Sequence, residues 1–478
     1  MTSARVHLPR RGTIALLAAC GLSACGAKRD REILIPQGNT ELGKRRNEAP
    51  GFSIPGERLN PDLLRRFYAR RGTQHVWNTH AEQANSLVEA VLRAGDHGLD
   101  PDLFHAGQLR RREELAPADR EFLLSDAFLS YADALARGAV PAERRKDSEA
   151  LAPGPVDVPA ALDRAIGSRD PGVAIEALAP ATPAYNALRK ALRDARANGS
   201  RGAAPERLSK IEVNLERQRW LPHSLPADRV WVNVADQHLL LYRDDRPVFS
   251  TRVVVGGEDE RNQSPEFHAM IEASFFNPPW VIPRDIAAAE VLPKIEQDPE
   301  YLARHNMVMR PNGEVEQLPG PSTALGQIML DMPNRFDVYL HDTPSQFLFG
   351  RDNRRVSRGC IRVQNAHEFT AMLMERSLDA IDEMIAPGGT TRHKLAKPVP
   401  VFVAYQTAFA DADGALQFRP DFYNRDNDVW QQLRRRSQGR SAPAQGDPDP
   451  TPPGTVQARP RGGGAAAPVE VRRRSLRA

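Results

Sequence analysis

The chain has 478 residues, of which 41% are hydrophobic and 26% are charged, and it contains three cysteines. This length allows two or three domains of ordinary size. The mean hydropathy of −0.51 excludes a polytopic membrane protein. Three cysteines exclude a disulfide-stapled scaffold and a multi-cysteine zinc or iron–sulfur site.

The positive charge of the chain lies at its two ends. The formal net charge is +4, but residues 1–24 hold three Arg and no acid, and residues 431–478 hold ten Arg and three acids. Residues 25–430 therefore carry about −6. A nucleic-acid-binding domain would carry a basic face on its folded part, so the sequence predicts no nucleic-acid partner.

The first 24 residues are predicted to be a lipoprotein signal peptide. Three Arg precede an apolar run from Gly12 to Leu22, which is too short to span a bilayer permanently. The tetrapeptide Leu-Ser-Ala-Cys that ends at Cys25 resembles a bacterial lipobox, which implies cleavage before Cys25 and lipidation of its thiol. An ordinary signal peptide with a chance cysteine is the alternative. The prediction is a bacterial cell-envelope protein on the periplasmic side, anchored to a membrane, with the outer membrane favoured.

Helical periodicity dominates the chain as far as residue 205. Residues 25–56 are polar and aperiodic, as expected of a flexible tether. Asn60 and Pro61 are typical of a helix start, and further helices are predicted over 87–92, 122–135, 160–178 and 185–197. The sequence therefore predicts a helical scaffold domain over 57–205, followed by a connecting helix in 206–227.

The apolar period changes from helical to two at Arg229. Val230, Val232 and Val234 begin this alternation, and further strands are predicted over 238–242, 248–255, 268–276, 324–330, 338–341 and 399–405. The predicted fold is thus multidomain, α followed by mainly β, with the β-rich catalytic domain over 228–430. Helix-forming sequence interrupts this domain at 283–321, an insertion long enough to act as a lid. Residues 431–478 are rich in Arg, Pro and Gly without periodicity, which predicts disorder.

Cys360 is the candidate nucleophile of the mature chain. Cys20 leaves with the signal peptide and Cys25 is predicted to be acylated, so Cys360 keeps the remaining thiol. A thiolate needs a base within reach, and His341, at the end of a predicted strand and 19 residues upstream, is the nearest candidate. The amides of Gly359 and Cys360 are candidate oxyanion donors. A buried, inert His and Cys pair is the alternative from spacing alone.

Segments 339–345 and 354–363 resemble the catalytic signature of the L,D-transpeptidases, a His-Gly/Asp-Thr segment followed by Ser-x-Gly-Cys-x-Arg. Here the first part starts at His341, and the second runs from Ser357 to Arg362. The resemblance extends over about residues 57–430 to the large branch of the family, in which a helical scaffold domain precedes the catalytic domain. Other matching segments are 67–71, 97–101, 214–220, 277–280 and 418–423.

The resemblance implies a cysteine acyltransferase that cross-links the cell wall. Cys360 would attack the carbonyl of diaminopimelate, the third residue of a peptidoglycan stem peptide, and expel the terminal D-Ala. His341 would be the general base, its other nitrogen held by a backbone carbonyl near Asp342. The acyl group would then pass to the side-chain amine of another diaminopimelate. Stem peptides are the implied partners, and neither a cofactor nor a metal is implied.

Neighbouring residues receive supporting roles from the same resemblance. It assigns support of the loop and the oxyanion to Ser357, Arg358 and Gly359, and substrate binding to Trp280, Tyr339, Asp342 and Arg362. For the two aromatic residues, packing in the core is an equal alternative. Arg358 stands where many relatives have His, and Ser264 stands where the branch usually shows Thr.

Two other functions stay open from the sequence. The same nucleophile and base with water as the acceptor would give an L,D-carboxypeptidase or a cross-link hydrolase. An inactive, lipid-anchored cell-wall-binding protein is the alternative of another class, and the presence of both His341 and Cys360 argues against it. The sequence makes no prediction of the oligomeric state.

Overall fold

The computed structural model describes residue 54 and residues 57–71, 75–147, 151–197, 205–411 and 413–440, with 435–440 as backbone alone. The predicted signal peptide, the anchor Cys25 and the end of the tail lie outside the described residues. Among the residues that are described, no helix has the length and apolar character needed to cross a membrane.

The N-terminal half is helical, as the sequence predicts. Its α-helices are α1 (Pro61–Arg71), α2 (Ala81–Leu92), α3 (Ala106–Leu109), α4 (Pro117–Arg137), α5 (Val158–Ile166), α6 (Pro171–Glu176), α7 (Pro183–Ala197) and α8 (Pro205–Gln218). The central helix α4 is buried on most of its surface. The single helix predicted over 160–178 is two helices, because Asp170 caps a new helix start with Pro171 in its first turn.

Helix α8 is part of the scaffold core and ends at Gln218, well before the predicted limit of the connecting helix. Ile211 and Leu215 are buried in the same apolar cluster as the other scaffold helices. The fully buried Glu216 pairs with Arg219 and accepts the backbone N–H groups of the turn after α4. A buried carboxylate whose oxygens are all engaged fixes the position of α8 against this turn.

The C-terminal half is built on a curled sheet. Its strands are β1 (Arg229–Asn233), β2 (His238–Arg243), β3 (Arg246–Gly256), β4 (Phe267–Phe276), β5 (Trp280–Val281), β6 (Met307–Met309), β7 (Val315–Gln317), β8 (Ile328–Asp331), β9 (Leu340–His341), β10 (Arg355–Ser357), β11 (Ile361–Val363), β12 (Thr391–Ala404), β13 (Ala408–Ala410) and β14 (Leu416–Phe418). The main sheet has nine strands in the order β10-β3-β11-β9-β8-β4-β12-β1-β2. Because β2 also pairs with β3, eight of these strands close into a barrel.

The insertion predicted to be a lid forms a small subdomain. It contains α9 (Arg284–Ile286), a π-helical turn over Ala287–Val291, α10 (Leu292–Gln297) and α11 (Tyr301–Arg304), which lie beside the sheet of β5, β6 and β7. Its apolar residues form a cluster separate from the barrel core, and Trp280 packs against both. A segment with its own core can move as a unit.

The last helices in the described part of the chain are α12 (Ala366–Met374), α13 (Leu378–Ile385) and α14 (Arg425–Arg440). Helix α14 corrects the prediction that disorder starts at residue 431, since it continues to Arg440. Val429 and Leu433 lie one turn apart and bury against the scaffold core, with Trp430 beside them. This apolar stripe is narrow and is followed by Arg residues, which is why composition alone suggested a disordered start.

Candidate active site

Strands β9 and β11 bring His341 and Cys360 together. The two strands are parallel neighbours, with Leu340 opposite Ile361 and His341 opposite Arg362. Paired residues share a face and alternate residues return to it, so His341, Arg362 and Cys360 point to the same side. Cys360 lies on the neighbouring strand, two residues before the residue opposite His341. This offset separates the two backbones by about 8 Å. Two side chains that extend toward each other can close that gap.

The imidazole of His341 is buried and neutral. Its Nδ1 lies 2.6 Å from the carbonyl oxygen of Asp342, so Nδ1 carries the proton and donates it, the contact that the family resemblance implies. Burial lowers the pKa of His341 to about 3, and the positive charge of Arg362 also lowers it, while backbone carbonyls work in the opposite direction. Nε2 has no hydrogen-bond partner among the described residues. The lone pair that could accept a thiol proton is therefore on Nε2.

Arg362 is the positive group beside the thiol. Cys360 is completely buried, and its Sγ lies 3.9 Å from the carbonyl oxygen of Asp337. Burial lowers the pKa of Arg362, and its interaction with Cys360 works in the opposite direction. The Nε of Arg362 has no partner in the described part of the chain. A guanidinium at this position favours the thiolate over the thiol.

Two serine hydroxyls hold the loop that carries Cys360. Ser357 Oγ donates to the carbonyl oxygen of Cys360 at 2.6 Å and accepts the N–H of Gly359 at 3.3 Å. Ser264 Oγ donates to the carbonyl oxygen of Gly359 at 2.8 Å. Gly359 has a φ of +107°, which a residue with a side chain rarely adopts. Because the Gly359 amide is directed at Ser357, it could serve as an oxyanion donor only after that bond is released.

The C-terminal segment supports this loop through Ser264. Tyr423 Oη donates to the carbonyl oxygen of Gly256 at 2.5 Å and accepts the N–H of Ser264 at 3.3 Å. Arg425 Nη2 donates to the carbonyl oxygen of Ser264 at 3.0 Å. A Cβ on Gly256 would overlap the backbone at Asn262, so this glycine permits the close approach. The matching segment at 418–423 was the available signal, although it does not say what Tyr423 touches.

Arg358 links the Cys360 loop to the lid subdomain. Its guanidinium forms an ion pair with Glu290, which lies in the π-helical turn of that subdomain. Both side chains are partly exposed, so the pair contributes little to global stability. Loop support and oxyanion support were predicted for Arg358, whereas its observed contact is with the lid.

Three residues predicted to bind substrate make structural contacts. The carboxylate of Asp342 accepts the N–H of Gln327 at 2.9 Å, and burial raises its pKa. Tyr339 is buried in the barrel core, and Trp280 packs between the barrel and lid cores. Substrate binding by these residues and by Arg362 stays a prediction. Among the described residues, no three His, Cys, Asp or Glu side chains gather in a way that could hold a metal ion.

Known protein families match both halves of the chain. Residues 62–192 match the family model of a scaffold domain, and residues 227–387 match that of the L,D-transpeptidase catalytic domain. The chain thus joins a scaffold domain to an L,D-transpeptidase catalytic domain. A Haemophilus influenzae protein described as a candidate L,D-transpeptidase is 29% identical over 243 residues, which are 46% of this chain and 48% of that protein. The chain thus matches about half the length of this curated relative.

Solved structures of L,D-transpeptidases are more distant. One from Enterococcus faecium is 14% identical, and the match covers 38% of this chain and 50% of that chain with a TM-score of 0.21. One from Mycobacterium smegmatis is 12% identical, and the match covers 37% of this chain and 58% of that chain, also with a TM-score of 0.21.

Proposed function

We propose that this L,D-transpeptidase family member cross-links peptidoglycan, with Cys360 as the nucleophile and His341 as the general base. The observation that carries the proposal is the state of His341. Its Nδ1–H donates a hydrogen bond to a backbone carbonyl. Its Nε2 has no partner among the described residues, and the residue lies on the sheet face that also carries Cys360. A base oriented in this way beside a thiol is the arrangement that acyl transfer through a thioester requires.

The first half-reaction would form an acyl-enzyme. His341 Nε2 takes the thiol proton while Cys360 Sγ attacks the carbonyl carbon of diaminopimelate in a stem tetrapeptide. The tetrahedral intermediate collapses as the bond to D-Ala breaks, and the imidazolium returns its proton to the leaving amine. The positive charge of Arg362 favours the thiolate before attack.

The second half-reaction would pass the acyl group to an amine. The side-chain amine of a second diaminopimelate attacks the thioester carbon, and His341 Nε2 accepts a proton from this nitrogen. Cys360 leaves as the thiolate and is reprotonated by the imidazolium. The product is an amide bond between two diaminopimelate residues, with one D-Ala released for each bond formed.

Substrate access requires a conformational change. Cys360 is fully buried and His341 is 1% exposed, so a stem carbonyl reaches Sγ only after a covering element moves. The lid subdomain touches the catalytic loop through the pair of Glu290 with Arg358. Opening of this subdomain is therefore the step that we propose precedes acylation.

The cellular site follows from the N-terminal sequence. We propose that lipid on Cys25 anchors the mature chain in the bacterial envelope, with the catalytic domain on the periplasmic side. Metabolic labelling with a fatty acid should mark the intact protein but not a Cys25→Ala variant. Equal labelling of both would contradict this anchor.

Product analysis of purified protein with a stem tetrapeptide tests the catalytic proposal. Transfer predicts D-Ala and peptide dimers joined between diaminopimelate residues, formed by the intact chain and absent with Cys360→Ala. Tripeptides without dimers would replace the proposal with a carboxypeptidase. Unchanged tetrapeptide in both samples would favour an inactive cell-wall-binding protein.

A further inference from the structure

A cleft of about 660 Å³ lies between the scaffold helices and the C-terminal helix. Its walls are segment 143–146 after α4, Arg217 and Trp220 at the end of α8, Glu266 before β4, and helix α14 from Arg425 to Gln432. Neither Cys360 nor His341 lines it. Its volume is in the range of sites that hold small molecules and short peptides.

Arg217 gives this cleft a buried donor pair. The residue is 1% exposed, and its Nη1 is engaged in an ion pair with Asp426. Its Nε and Nη2 are buried and have no hydrogen-bond partner among the described residues. These two nitrogens form one edge of the guanidinium fork, the edge that binds a carboxylate with two parallel hydrogen bonds.

Arg425 adds a further donor to the lining. It is 4% exposed, and its Nη1 donates to Glu266 at 3.2 Å while Nη2 donates to the carbonyl oxygen of Ser264. Its Nε has no partner in the described part of the chain. Buried donors are nearly always paired in folded proteins, so the unpartnered nitrogens of these two arginines are available to an acceptor from outside the chain.

The charges of the lining indicate the class of this acceptor. Five basic residues, three of them in 144–146, face three acids, of which Glu266 is engaged by Arg425. Glu143 and Asp428 are exposed at the rim. A ligand that combines carboxylates with ammonium groups matches this distribution better than a purely anionic ligand does, and Trp220 supplies an aromatic wall.

We propose that this cleft is a second, non-catalytic binding site for a short peptide with a free carboxylate and a free amine. The donor edge of Arg217 and the Nε of Arg425 bind the carboxylate, and the rim acids bind the amine. The identification of this peptide as a peptidoglycan stem rests on the proposed function, whereas the carboxylate recognition does not.

The site is two hydrogen bonds from the catalytic loop. Arg425 holds the carbonyl of Ser264, and the hydroxyl of Ser264 holds the carbonyl of Gly359, which precedes Cys360. A ligand that binds Arg425 therefore contacts the residue that holds Ser264, and Ser264 supports this loop. Scaffold and catalytic domains both contribute walls, so the bound peptide also bridges the two domains.

Calorimetric titration of the whole mature chain with Cys360→Ala tests the site without any turnover. The probe is the tripeptide L-Ala-γ-D-Glu-diaminopimelate, compared with the same tripeptide amidated at its carboxylates and with inorganic phosphate. Glu143→Gln with Asp428→Asn removes the two exposed rim acids that would bind the amine. Glu296→Gln with Asp379→Asn, at exposed positions outside the lining, is the matched control. Arg217→Lys keeps the charge but removes the fork, and circular dichroism checks its fold.

The proposal predicts that the tripeptide binds and that its amidated form does not. Affinity should fall about 3-fold in the rim variant and about 10-fold in Arg217→Lys, and stay unchanged in the control. Equal affinity in the rim variant and the control would overturn the site. Tighter binding of phosphate than of the tripeptide would overturn the ligand class. Because the chain titrated has no nucleophile, these outcomes are independent of whether the intact enzyme transfers or hydrolyses.

Discussion

The neutral state of His341 has a consequence for stability. Its folded-state pKa of about 3 lies below the ordinary value of 6.5. Between these two values the unfolded chain binds more protons than the folded chain, so stability falls as the pH is lowered through this window. The slope from one such group is at most about 1.4 kcal/mol per pH unit. Below pH 3 this contribution levels off.

We expect His341→Gln to flatten the dependence of the unfolding free energy on pH between 6 and 4. Urea unfolding at several pH values measures this slope, with His305→Gln, at an exposed position in the lid subdomain, as the control. A variant with the same slope as the unsubstituted chain would show that His341 is not buried in its neutral form.

Ser264 offers a second test at the scale of one residue. Ser264→Ala removes the donor to the Gly359 carbonyl, which should cost about 1 kcal/mol of stability and loosen the catalytic loop. We expect D-Ala release to slow by roughly 10-fold, because misplacement of a catalytic group lowers the rate steeply. Ser264→Thr keeps a hydroxyl and should restore most of the rate. Equal rates for the Ala variant and the unsubstituted chain would contradict a positioning role.

Among the elements, the lid subdomain is expected to respond to its ion pair with the catalytic loop. Glu290→Gln removes the partner of Arg358, and because both groups are partly exposed, stability should change by less than about 1 kcal/mol. A weaker contact favours the open lid, so formation of the proposed acyl-enzyme on Cys360 with a stem tetrapeptide should accelerate about 3-fold. Intact-protein mass against time measures this rate. Glu296→Gln, at an exposed position in the same subdomain, is the control, and an unchanged rate in Glu290→Gln would contradict the link.

We expect different outcomes from two truncations, one that begins after helix α14 and one that removes this helix. Removal of residues 441–478 takes away none of the described contacts, so melting temperature and activity should stay unchanged. Removal from Arg425 onward exposes the scaffold surface under Val429 and Leu433 and breaks the bonds from Arg425 to Ser264, and it should cost several kcal/mol. Thermal unfolding of both truncated chains distinguishes them, and similar losses for the two would contradict the packing of α14.

The sequence was sufficient for the elements with strong periodicity and for the central pair of the site. Alternation of valines predicted the start of the β-rich domain, and the signature paired His341 with Cys360, whose catalytic roles stay predictions. The sequence did not predict that the Cys360 loop is supported by Ser264, Tyr423 and Arg425. These contacts join positions about 95 to 170 residues apart, and no local pattern encodes such pairings. Helix α14 was missed for a related reason, since its short apolar stripe is stabilised by the scaffold rather than by its own composition.

At the scale of the whole molecule, the scaffold and catalytic domains are joined by buried polar contacts. Asn214 of α8 donates to Thr407 Oγ1 at 2.7 Å and accepts the Thr407 N–H at 3.0 Å. Arg217 of the same helix pairs with Asp426 of α14. Because these buried contacts cross the domain boundary, separating the domains would leave further polar atoms without partners, which is costly. The scaffold therefore holds the residues behind the catalytic loop in place.

The thioester that we propose Cys360 forms with a stem peptide can be trapped directly. Rapid acid quenching of the intact chain with a stem tetrapeptide, followed by intact mass and peptide mapping, tests it most directly. We predict an adduct with the mass of the tetrapeptide minus D-Ala, located on Cys360 and absent from Cys360→Ala. An adduct on another residue, or turnover that persists in Cys360→Ala, would contradict the assignment.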